Sequence, residues 1–274
     1  MKTIELKFAQ RISLAVAVAI MVACSWLAPL DLAANQQVDA GLKRALISFA
    51  TARALNAVVS VVQGTEVAVQ PAGVGVNFAP GQLLDPVNEL VEQFSNLMLT
   101  ASVAFGIQKV LISIGAHWLI SLFLTMTAVG WAYFYLRQHL SPAWLSRILV
   151  VLLMTRFAMP VAIIGSDMLF QKFMAADYQS SQRVIDTASG QLEKLNPPVA
   201  VADENQGMLD KIKGWSQNTD IKSRFENLKH TAEQATEHII KLMVIFLLQT
   251  LVLPLLLLWV LWGIARETFE AKNQ

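Results

Sequence analysis

The sequence predicts an all-α integral membrane protein with four transmembrane helices, several of them continuing into an external helical bundle that carries one small β-hairpin. Three observations predict it. The 274 residues are 55% hydrophobic and only 15% charged, where soluble domains carry about 25% charged residues. Mean hydropathy is +0.49, and the apolar residues cluster into runs that approach or exceed the roughly 20 residues a helix needs to cross a bilayer. Finally, heptad-spaced apolar stripes continue past the ends of those runs. With 21 Lys+Arg against 20 Asp+Glu the net charge is +1, so the chain has neither the charge excess of a disordered segment nor the basic surface of a nucleic-acid binder.

The first element, residues 1–34, reads as a signal-anchor helix. Lys2, Lys7 and Arg11 precede the uncharged stretch Ile12–Leu30, which is longer than the 7–15 apolar residues of a cleaved signal peptide. The only cysteine, Cys24, lies inside it, so no intramolecular disulfide can form. Residues 35–110 are expected outside the membrane as amphipathic helices flanking a hairpin at about 65–79. In that hairpin Val67, Val69, Val74, Val76 and Phe78 alternate with other residues around Gln70-Pro71-Ala72-Gly73, a strand–turn–strand pattern. An isolated hairpin is marginal in water, so these five residues form the candidate interaction surface, with an edge able to pair with another subunit or an envelope partner.

The second span, 111–136, carries Trp118 at one end and Trp131, Tyr133 and Tyr135 at the other, the positions of aromatic belts. It is expected to be continuous with the helix before it, where Val87, Leu90, Phe94, Leu97, Ala101, Ala104 and Gln108 step alternately by three and four. A loop at 137–146 leads to the third span, 147–165, interrupted by Arg156 and Pro160. Residues 166–238 read as an external helical hairpin turning at Asn196-Pro197-Pro198, and the fourth span, 239–265, contains Gln249 and Pro254. The stripe Ile221, Phe225, Leu228, Ala232, Ala235, Ile239 and Leu242, with the spacing of a coiled coil, runs unbroken into that span. Residues 266–274 form a tail. Placing Lys2, Lys7, Arg11, Arg137, Arg147, Arg266 and Lys272 on one side satisfies the positive-inside rule with both termini cytoplasmic, and the working location is a bacterial inner membrane.

Chemistry is sparse. The four histidines include no pair spaced i, i+4 as helical metal ligands would be, and neither a phosphate-binding glycine loop nor a G-x-S-x-G motif occurs. No catalytic, cofactor or metal residue is assigned. The candidate intramembrane polar site is Arg156 with Gln249, since a charge in mid-span costs about 2.5–3.5 kcal/mol unless it faces protein or water. No acidic residue is expected at that depth. Lys109 and Lys241 read as snorkelling anchors. The expected function is a non-enzymatic scaffold or interaction subunit, in contact with the bilayer and with copies of itself or an envelope protein. The alternative is a transporter or channel for an anion or lipid.

Overall fold

The computed structural model describes residues 2–63, 67–69, 76–78, 85–137, 142–195 and 218–270. The helices are α1 (Lys2–Leu27), α2 (Pro29–Gln63), α3 (Asp85–Gly115), α4 (Trp118–Arg137), α5 (Ala143–Phe173), α6 (Ala175–Leu195), α7 (Asn218–Leu247) and α8 (Leu253–Glu270), with one turn of π-helix at Leu248–Val252 joining α7 to α8. Strands β1 (Val67–Val69) and β2 (Val76–Phe78) pair antiparallel, Val67 opposite Phe78 and Val69 opposite Val76. Six residues of ladder leave the class all-α. Val74 and the turn residues Gln70–Gly73 lie outside the described residues, as do Pro197, Pro198 and Gly207.

Four helical stretches are long and apolar enough to cross a membrane: Pro86–Gly115, Trp118–Arg137, Ala143–Phe173 and Glu233–Arg266. The set differs from the expected one in two places. The N-terminal segment qualifies only as a bent pair, Ile12–Leu27 with Pro29–Ala57, broken by 54°. The break falls at Ala28, whose φ of 50° is a left-handed conformation costing an L-residue about 1–2 kcal/mol, followed by a proline that fits the first turn of the new helix. The second difference is α3, expected outside the membrane. The apolar stripe marks its buried face, yet towards its C-terminal end Val103, Ile107, Val110 and Ile114 on the other face are apolar too and more than half exposed, which gives this stretch the apolar length of a candidate span. Nor is α3 continuous with α4. The chain turns at Ala116 and His117, where the His117 carbonyl and Nδ1 accept hydrogen bonds from the Ile120 and Leu119 N–H groups and so cap α4.

The chain divides into two compact units. The first comprises Met1–Lys43, Ser102–Lys172 and Leu248–Gln274. Here α1 lies antiparallel to α4, with the Ser25 and Ser121 hydroxyls 2.8 Å apart and the Trp26 Nε1–H donating to Thr125 Oγ1 at 3.0 Å. Val18, Leu124, Ala128, Trp131, Leu145 and Leu149 form the core that joins α5 to them. The buried indole of Trp131 donates to Ser146 Oγ at 3.1 Å, which removes the cost of an unpaired N–H. Towards the other end α2 pairs with α3: Lys109 reaches Asp39 at 2.6 Å, not a lipid headgroup as the anchor reading expected. A Cβ at Gly41 would collide with the Phe105 ring, so glycine lets the ring approach α2 this closely.

The second unit comprises Arg44–Ala101 and Phe173–Leu247. Val87, Val91, Phe94, Met98 and Ala101 of α3 are buried in it. The positions seven apart in the expected stripe, 87, 94 and 101, are correct; the second line is 91 and 98, one residue on from the expected 90 and 97. Helices α6 and α7 pack antiparallel, with His238 on Ser181 and Phe246 edge-on to Tyr178 at 5.8 Å between centroids. Ile185, Ala188, Ala235, Ile239 and Leu242 close that contact, the last three lying on the stripe read in α7.

Candidate functional site

Three prolines organise the polar side chains buried among the apolar helices of the first unit. A proline has no N–H, so the carbonyl four residues earlier loses its helical partner, and in a dry interior that carbonyl needs another donor. At the α1–α2 break Pro29 frees the Ser25 carbonyl. Arg156 Nη2 of α5 donates to it at 3.0 Å, while Arg156 Nε donates to Ser25 Oγ at 3.0 Å. The same guanidinium is bidentate on Asp31 in the first turn of α2, with Nη1 2.7 Å from Oδ1 and Nη2 on Oδ2, the fork-to-fork geometry that makes arginine–carboxylate pairs strong. Arg156 is 1% exposed and Asp31 5%. Asp31 also sits at the N-terminus of α2, where the helix dipole favours a negative charge.

The second proline site is the π turn. In α-helical winding the N–H of residue 254 would bond the Thr250 carbonyl, and in the wider π winding the Gln249 carbonyl. Pro254 supplies neither bond. Gln108 Nε2 of α3 caps the Thr250 carbonyl at 3.3 Å, and Ser166 Oγ of α5 caps the Gln249 carbonyl at 3.2 Å. Gln108, Ser166 and Gln249 are all less than a tenth exposed. The third, Pro160, frees the Arg156 carbonyl, which faces Gly115 at the end of α3. A Cβ there would stand 3.1 Å from the Thr155 oxygen and 3.6 Å from the Arg156 oxygen, so glycine permits the close approach of the two backbones.

The sequence-derived pairing of Arg156 with Gln249 is therefore corrected. The guanidinium is occupied by Ser25 and Asp31, and Gln249 Oε1 is buried without a hydrogen-bond partner. Asp31 directly follows the uncharged stretch Ile12–Leu30, at the far end of the first segment, where a straight helix would not bring it to Arg156. An acidic residue does stand at the depth of Arg156, because the helix breaks at Ala28 and restarts at an angle that turns Asp31 back onto α5. The signal was the Pro29-Leu30-Asp31 triplet, a helix start inside an apolar run. Of the hairpin residues, Val67, Val69, Val76 and Phe78 lie in the two strands.

A second polar seam, unseen in the sequence, runs between α2, α6 and α7 in the second unit. Ser48 Oγ donates to Gln182 Oε1 at 2.9 Å, and Gln182 Nε2 lies 3.1 Å from Thr51 Oγ1 and 3.2 Å from Asp186 Oδ1. Burial pushes the Tyr178 phenol above the usual tyrosine range; its hydrogen bond to Ser48 and the charge of Arg44 oppose that, and Asp186 adds to it. Ser181 Oγ and His238 Nδ1 are 3.0 Å apart, the separation of a nucleophile and its base. Ser181 is fully buried, however, and its hydroxyl is shielded from any substrate. The pair ties α6 to α7.

Among the described residues no group of three His, Cys, Asp or Glu side chains is placed to hold a metal ion. Comparison with protein families, with curated proteins and with solved structures finds no match to this chain.

The capping arrangement makes a direct prediction. Replacing Gln108 by leucine removes its hydrogen bond to the Thr250 carbonyl and is expected to cost about 1–3 kcal/mol, measured by denaturant titration in detergent micelles. Adding Pro254→Ala restores a main-chain N–H at this turn, which α-helical winding there would bring onto the Thr250 carbonyl. The double variant is expected to recover most of the loss; no recovery would show that the capping account of Gln108 is wrong.

Proposed function

We propose that this chain is a non-enzymatic scaffold or interaction subunit of a bacterial inner membrane, with both termini cytoplasmic and residues of the second unit offered to copies of itself or to an envelope partner. The observation that carries the proposal is how Arg156 is used. Its guanidinium charge is neutralised by a bidentate carboxylate and it also caps a proline-freed carbonyl, so it offers no net charge to an anion or headgroup. Gln108 and Ser166 are likewise used on backbone carbonyls. Polar groups spent on the fold support a framework and argue against a lined path. The basic residues of the tails and the short loop support the orientation.

The test is reconstitution into liposomes loaded with chloride or inorganic phosphate, with protein mass measured in detergent by light scattering. The expected result is efflux no faster than from protein-free vesicles and a mass of two or more chains. Efflux above that background, abolished by Arg156→Gln, would replace the scaffold with the transporter. A monomeric mass would remove the self-association part of the proposal.

A further inference from the structure

We propose that, within the first unit, the α2 segment 29–43 and the α3 segment 102–115 form one paired arm that pivots against α1 and α4, and that the Arg156–Asp31 ion pair is the latch that holds the pivot closed. Two chain breaks stand at the same level. Ser25 meets Ser121 and Trp26 meets Thr125 on one side of them, and Asp39 meets Lys109 on the other. Because these pairs run antiparallel, Ala28 lies opposite the Ala116–His117 turn. The first break bends the chain by 54° and the second is the turn between two helices, and breaks of this kind are where bending concentrates.

Beyond the breaks the two helices are fastened to each other. Asp39 pairs with Lys109, the Phe105 ring packs against Gly41, and Val38 and Ile112 are each 1% exposed. The arm therefore moves as a unit. Gln108 holds the arm to the Thr250 carbonyl, whereas at the pivot itself the fastening to α5 comes from one turn. The Arg156 side chain bonds Ser25 on the α1 side of the break and Asp31 on the α2 side, so a single guanidinium spans the hinge. The carbonyls of Thr155 and Arg156 lie against Gly115 at the matching break. Ala28 holds a left-handed φ of 50°, a conformation that persists only where its surroundings impose it. With the ion pair gone, that imposition is lost and the 54° bend relaxes toward a straighter path.

The experiment is a pair of distance measurements by pulsed electron paramagnetic resonance on the full chain in lipid nanodiscs. Spin labels go on cysteines replacing Ile12 and Lys43, both exposed, in a Cys24→Ser background. At about 1.5 Å per residue, the 54° bend makes this path shorter than a straight rod by ~5 Å. Arg156→Gln and the isosteric Asp31→Asn are each expected to broaden the distribution and lengthen its mean by up to that ~5 Å. A second label pair at Gln36 and Leu111, across the arm, is expected to keep its distance in both variants. A 12-to-43 distance unchanged in a folded Arg156→Gln or Asp31→Asn protein overturns the latch. Separation of the 36-to-111 pair overturns the paired arm. Should Arg156→Gln fail to fold, Asp31→Asn, which keeps the side-chain shape, decides the first question.

Discussion

Replacing Arg156 by leucine is expected to destabilise the protein by about 3–5 kcal/mol, the range for removing one partner of a buried ion pair. Three losses combine. Asp31, 5% exposed, keeps a charge with no counter-ion among apolar helices. The Ser25 carbonyl, which Pro29 already deprives of its helical partner, loses the donor that replaced it. The cation–π contact of the guanidinium with Phe157, 5.3 Å from ring centroid to Cζ, disappears as well. Leucine is more hydrophobic than arginine and suits an apolar helix, so a simple transfer argument predicts the opposite sign. The denaturant midpoint in micelles decides between them: a large fall supports the pairing, and an unchanged or higher midpoint supports the transfer argument.

Phe246→Ala is expected to cost as much by a different route. The ring is 1% exposed and edge-on to Tyr178, and truncating a core phenylalanine to alanine costs about 3–5 kcal/mol through lost burial and the cavity left behind. Phe123 makes the comparison informative. It is 56% exposed on α4, in a stretch apolar enough to span a membrane, and Phe123→Ala is expected to change stability by less than about 1 kcal/mol. Measured side by side, the two variants report whether α7 packs against α6 as described, since hydropathy alone scores the two phenylalanines alike.

Much of this architecture was legible in the sequence because it rests on period and run length. The stripe from Ala235 to Leu242 is buried as spaced, and the helical stretches ending at Arg137 and Arg266, long and apolar enough to cross a membrane, follow from apolar length. What escaped has a common cause. Helix α3 has an apolar buried face and an apolar exposed face, and a stripe search records only the first. The break at Ala28 depends on a left-handed alanine, which composition does not mark, and it alone brings Asp31 within reach of Arg156. In the sequence Gln108 is one more position on a stripe. Its partner is a backbone carbonyl made available by Pro254, some 140 residues away, and such a pairing depends on how helices pack. The Ser48, Gln182 and Asp186 seam was invisible for the same reason.

The central claim is that Arg156 acts through Asp31 in holding the fold, and a double-variant cycle tests it most directly. Arg156→Leu and Asp31→Leu are each expected to be strongly destabilising, because each leaves the other charge buried and alone. Together they leave no buried charge, and apolar replacements of a buried pair are often neutral or stabilising. The double variant is therefore predicted to be more stable than either single variant, with a coupling energy of at least about 2 kcal/mol. A double variant that loses the sum of the two single losses would contradict the claim.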